Sequence, residues 1–174
     1  MFARVFRGTL AIAALLVAVS ATADAQSRFG ATAGIALPTG DFGDGADLGF
    51  HAGAQYQMPL GEKLGLRFNA DFGRYGLQDI DGNVTLLGGV ANLVYNINTG
   101  TGLMPYVFGG LGYYNTKVEV GGFSADESDL AFNVGAGYTF KLGNLNMFTE
   151  VRYLSIQTDG DALTTLPIVI GIRF

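Results

Sequence analysis

His51 is the only imidazole in the chain, so any general acid–base chemistry near neutral pH would fall to it. An acyl-transfer site would also need a serine within reach of that ring, and Ala52 and Gly53 are what follow it. A second candidate chemistry lies in the carboxylates. They gather as Asp41, Asp44 and Asp47, then Asp79 and Asp81, then Asp126, Glu127 and Asp129, then Asp159 and Asp161. Oxygen ligands of this density suit divalent cations. Yet Asp79-Ile-Asp81-Gly82 starts like a calcium loop and lacks the later ligands, so solvated carboxylates are the expectation. The chain has no Cys, which excludes a disulfide scaffold, a thiol nucleophile and Cys-ligated metal. Its 10 Lys and Arg against 15 Asp and Glu, net charge −5, argue against a broad nucleic-acid-binding face. No residue is assigned a catalytic, cofactor-binding or metal-binding role, and neither an enzyme nor a cofactor is expected.

The remaining charges follow a period of two, which points to the elements that position them. Leu48, Phe50, Ala52, Ala54, Tyr56 and Met58 alternate with Gly49, His51, Gly53, Gln55 and Gln57. Leu64, Leu66, Phe68, Ala70 and Phe72 alternate with Gly65, Arg67, Asn69, Asp71 and Gly73. Such alternation sends the two sets to opposite faces of a sheet. The rule recurs over 29–37, 84–97, 130–142, 147–157 and 165–174. A further segment, from Pro105 through Tyr114 and extending as far as Val120, carries bulky groups at both parities and leaves its faces unassigned. The predicted elements are eight strands, most of them longer than the usual soluble strand of about 5–6 residues and matched to the roughly 9–11 that cross a bilayer.

The connections alternate too. The first, third, fifth and seventh are mostly longer and acidic, including 121–129; the others are mostly tight, such as Pro59-Leu-Gly-Glu62 and Gly143-Asn144. Long outer loops, short inner turns and an even strand number are the pattern of an outer-membrane barrel with both termini periplasmic. Tyr56, Tyr95, Tyr138, Phe140 and Phe174 then form an aromatic rim on the periplasmic side. The competing architecture is a soluble sandwich, in which the same apolar faces would be buried.

The N-terminus reads as a leader. Arg4 and Arg7 precede an apolar stretch from Leu10 to Val19, and Ala23-Asp24-Ala25 offers a cleavage site. Residues 1–25 are expected to be a signal peptide and 26–174 the barrel domain.

The mature chain resembles the small outer-membrane β-barrel family that includes the OmpA transmembrane domain and OmpX. The resemblance rests on Leu37-Pro-Thr-Gly-Asp-Phe42, Pro105-Tyr-Val-Phe-Gly-Gly-Leu-Gly-Tyr113 and Ile168-Val-Ile-Gly-Ile-Arg-Phe174. It implies an all-β, eight-stranded, antiparallel, up-and-down transmembrane barrel in the outer membrane. It also implies that the last strand, through Ile170, Ile172 and Phe174, is read by the barrel-assembly machinery. Some small outer-membrane barrels are lipid A deacylases, but His51 has inward parity and lacks a companion serine.

Eight strands leave an interior that side chains just fill. The inward charges are Arg28, His51, Arg67, Asp71, Lys141, Glu150, Arg152 and Arg173. A hairpin turning near Gly61 brings His51 towards Asp71, and one turning near Gly160 brings Glu150 towards Arg173. A polar plug is the expected lumen, and a monomer the expected assembly. The expected role is structural or interactive at the cell surface through acidic loops; the alternative is a narrow porin-like channel for small solutes.

Overall fold

Each alternating segment forms a strand that pairs antiparallel with the next, and the last pairs with the first. The computed structural model describes residues 28–100 and 104–174, so the leader assigned to residues 1–25 lies outside the described residues. The strands are β1 (Arg28–Thr39), β2 (Gly49–Pro59), β3 (Leu64–Gly76), β4 (Gly82–Asn96), β5 (Met104–Val120), β6 (Phe123–Leu142), β7 (Leu145–Ile156) and β8 (Leu163–Arg173). They close in sequence order into a barrel, with β8 against β1 from Gly30↔Arg173 to Thr39↔Thr164. A short helix, α1 (Asp41–Gly45), follows β1. Closure satisfies every strand edge within the wall, as a sheet in lipid requires.

The outward set is apolar all the way round. Leu87, Leu93, Leu111, Val134, Ile168 and Ile170 are exposed, Leu111 at 72%. Nothing among the described residues covers them, which separates this architecture from a soluble sandwich. The rim aromatics behave as their parity predicts: Tyr95, Tyr138 and Phe174 are exposed. Phe29 packs on Tyr56 at 4.8 Å and Tyr138 on Phe140 at 5.5 Å. A second set stands towards the other end, where Phe50 meets Phe72 and Phe132 meets Tyr153.

The fifth connection is not the long acidic loop read from 121–129. β5 and β6 run on as a hairpin of 17 and 20 residues, closed at Val120↔Phe123. Gly121 and Gly122 have φ of 56° and 87°, the left-handed pair that a type I′ turn demands. That turn matches the strand twist, so the acidic segment becomes strand. β4 and β3 flank the extension on one side, up to Gly82↔Val120 and Gly76↔Asn83. On the other side β7 stops at Ile156, opposite Ala131. Residues 123–129 of β6 therefore pair with β5 alone among the described residues.

The parity of β5 is also settled. Val107, Leu111 and Tyr113 face outward, whereas Tyr106, Phe108 and Tyr114 are buried in the lumen. The inward rings fit because glycines lie across the ladder. Gly88 pairs with Tyr114, and a Cβ there would sit 2.4 Å from the Tyr114 ring.

Candidate functional site: a layered lumen and an acidic mouth

The lumen is stacked in layers. Nearest the chain termini, Glu150 on β7 takes Arg67 from β3 across the barrel, Nη1 to Oε1 at 2.5 Å. The Tyr106 hydroxyl donates to the same oxygen at 2.6 Å. Arg173 stands 3.9 Å from Glu150 and donates to Tyr106 Oη and Thr139 Oγ1. The expected Glu150–Arg173 approach is therefore real, although their ladder partners are Val169 and Asn146. Two arginines share one carboxylate here, and aromatic faces take up the excess. Arg67 lies 4.2 Å over the Phe108 ring and Arg173 4.4 Å over Phe148.

The next layer centres on Asp71. Arg152 donates to its Oδ2 at 2.9 Å and Tyr114 to the same atom at 2.6 Å. His51 Nε2 lies 3.3 Å from Oδ1, the approach expected from the hairpin at Gly61. The same nitrogen is 3.1 Å from Arg152 Nη2. Bearing a proton it donates to Asp71; without one it accepts from Arg152. All four side chains are buried, and the space left beside them is about 10 Å³, close to one water.

Two residues of the expected charged interior sit elsewhere. Arg28 and Lys141 have inward parity but lie at the open terminal end, where they are exposed. Beyond Asp71 the lumen turns mainly apolar, against the expectation of a polar plug. Ala36, Val84, Leu86, Val90, Leu154 and Ile156 form a buried apolar cluster there. Its polar exception is paired: Tyr75 Oη meets Thr165 Oγ1 at 2.9 Å, and Thr165 donates to the Leu37 carbonyl.

Above the apolar layer the barrel opens. Phe42 of α1 packs edge-on to Tyr75 at 5.1 Å and, with Val118 and Leu163, caps the cluster. Over them lies a cavity of about 510 Å³, between the projecting β5–β6 hairpin, α1 and the β7–β8 connection. Asp41, Asp126, Glu127 and Asp161 line it. The sequence placed these acids together at one end, and here they share one mouth. Among the described residues no group of three His, Asp or Glu side chains is arranged to hold a metal ion.

Sequence reasoning missed the lumen tyrosines and the cavity. Tyr106 and Tyr114 were hidden by the two bulky parities of β5; the glycines on facing strands, such as Gly88, were the available signal. The cavity depends on a hairpin that an acidic composition disguised as a loop.

This arrangement of lipid-facing apolar strands around a filled core defines an integral outer-membrane barrel. The chain belongs to the outer membrane protein beta-barrel domain family, matched over residues 9–174. No curated protein sequence matches it. Among solved structures it is similar to neisserial surface protein A, with 20% identity, TM-score 0.65, and 84% of this chain and 95% of that one covered. It is also similar to Ail, the attachment invasion locus protein of Yersinia pestis (21%, TM-score 0.54, 86% and 99% covered). The N-terminal β-barrel domain of Pseudomonas aeruginosa OprF follows at 18%, TM-score 0.53, with 86% and 98% covered. The protein is thus placed in the outer membrane.

Proposed function

We propose that the protein works at the cell surface through its extracellular mouth, and that its barrel is a closed anchor rather than a conduit. The filled lumen carries this reading: two charge layers and an apolar layer lie in series, with space of about 10 Å³ at the Asp71 layer. A solute channel would have to break Arg67–Glu150, Arg152–Asp71 and the apolar packing together. Ail has been solved with the heparin analogue sucrose octasulfate. The carboxylate mouth here fits the opposite charge, so a polyanion is not the partner its field favours.

Three further points belong to the same reading. His51 holds the Asp71 layer together and does no catalysis, in keeping with its burial beside Arg152. The barrel acts as a monomer, every edge in the membrane wall being paired within one chain. Ile170, Ile172 and Phe174 signal to the barrel-assembly machinery, which is supported by their outward alternation on the final strand.

Planar-bilayer recording tests the central claim. The purified protein is expected to leave the bilayer current at baseline. Steady, salt-proportional conductance from single insertions would reject the closed anchor and favour the narrow channel.

A further inference from the structure

We propose that the extracellular cavity is a binding site for a small amphiphilic cation, a protonated amine on an apolar body. This rests on the reading of the mouth as the working surface and goes on to assign its ligand class. The volume of about 510 Å³ is within the range of small-molecule pockets, roughly 300–1,000 Å³. Its floor is apolar, made by Phe42, Val118 and Leu163 packed on the buried cluster beneath. Its rim carries Asp41, Asp126, Glu127 and Asp161, and among the described residues none of these carboxyl groups is in an ion pair.

Charge alone would mean only a solvated rim. The independent observation is Thr116. It lines the cavity from β5, is 8% exposed, and its Oγ1 has no hydrogen-bond partner. A buried hydroxyl left unpaired is destabilising unless something supplies its bond. Glu127 stands opposite Thr116 in the β5–β6 ladder. The ladder pairing sets Thr116 and Glu127 on the same face of the hairpin, so an ammonium group over this pair would meet the carboxylate with the hydroxyl beside it, while its apolar body covers the floor. An anionic amphiphile would meet four carboxylates, and an inorganic cation would leave the floor uncovered.

The test uses the full mature protein in phosphatidylcholine nanodiscs, with empty nanodiscs as the partition control. Three probes share one shape: 4-phenylbutylamine, 4-phenylbutanol and 4-phenylbutyrate. Ligand-observed NMR titration is expected to show saturable amine binding above the empty-disc background, with the alcohol and the acid at least tenfold weaker. Glu127→Gln with Asp161→Asn should weaken the amine about tenfold and leave the alcohol unchanged. Ala125→Phe, on the projecting hairpin and clear of the membrane wall, should abolish binding by filling the cavity. Each variant's folded state is checked by heat-modifiable gel mobility. Amine binding no stronger than that of the acid, or indifferent to Ala125→Phe, overturns the proposal. Such a result leaves the closed-anchor reading standing, because that reading fails only on conductance.

Discussion

The two halves of the lumen solve the same packing problem with opposite chemistry. The half nearer the termini fills its space with ions set among buried aromatic rings, the half beneath the acidic mouth mainly with aliphatic side chains and Tyr75. Arginine and carboxylate span the barrel and bind walls that are not neighbours in the sheet: Arg67 on β3 reaches Glu150 on β7, and Arg152 on β7 reaches Asp71 on β3. Aliphatic groups touch without direction. The first half is therefore vulnerable to loss of a partner, and the second to loss of volume.

Five substitutions, one of them a second change added to the first, would break or sharpen this contrast, read by denaturant unfolding from lipid vesicles. With no Trp in the chain, circular dichroism or tyrosine fluorescence serves as the signal. Glu150→Gln should have the largest effect, a loss of about 3–5 kcal/mol, because Arg67 and Arg173 are left facing each other without a counter-charge. Adding Arg67→Met should recover at least half of that loss; failure to recover would mean that the layer is held by packing rather than by charge. In the apolar half, Leu154→Ala should cost about 2–5 kcal/mol, and no partner substitution of charge should rescue it. Gly88→Ala should cost about 1–3 kcal/mol, since the new Cβ would collide with the Tyr114 ring beneath Asp71. The smallest effect belongs to Tyr75→Phe, about 1 kcal/mol, the loss of one hydrogen bond to Thr165. A larger cost there would show that the upper half also depends on polar anchoring.

The sequence disclosed the wall better than the contents. Period two survives in Leu64 to Phe72 or Leu166 to Phe174 because lipid on one side and lumen on the other leave each position only one choice. His51 and Asp71 were legible as a pair because their hairpin turn is short and its register follows. The Arg67–Glu150 bond was not legible, since residues on β3 and β7 meet only once the sheet has closed. The change from ionic to aliphatic filling was equally obscure: Val84, Leu86 and Val90 share the inward parity of Asn92, and nothing in strand periodicity reports depth along the barrel axis. Composition misled at 123–129, where Ser, Asp and Glu suggested loop and two consecutive glycines created a turn that kept the chain extended.

That extension leaves one strand half finished. From Phe123 to Asp129, β6 has a neighbour on β5 and none on β7, and Phe123 at its tip is 85% exposed. An unpaired strand of this kind is a template on which another extended chain can add. Asp126, Glu127 and Asp129 are the guard against it, because a second copy brought alongside would set like charges face to face. Acidity along residues 123–129 thus has a consequence for the sheet itself, because it disfavours the addition of another extended chain at that open edge.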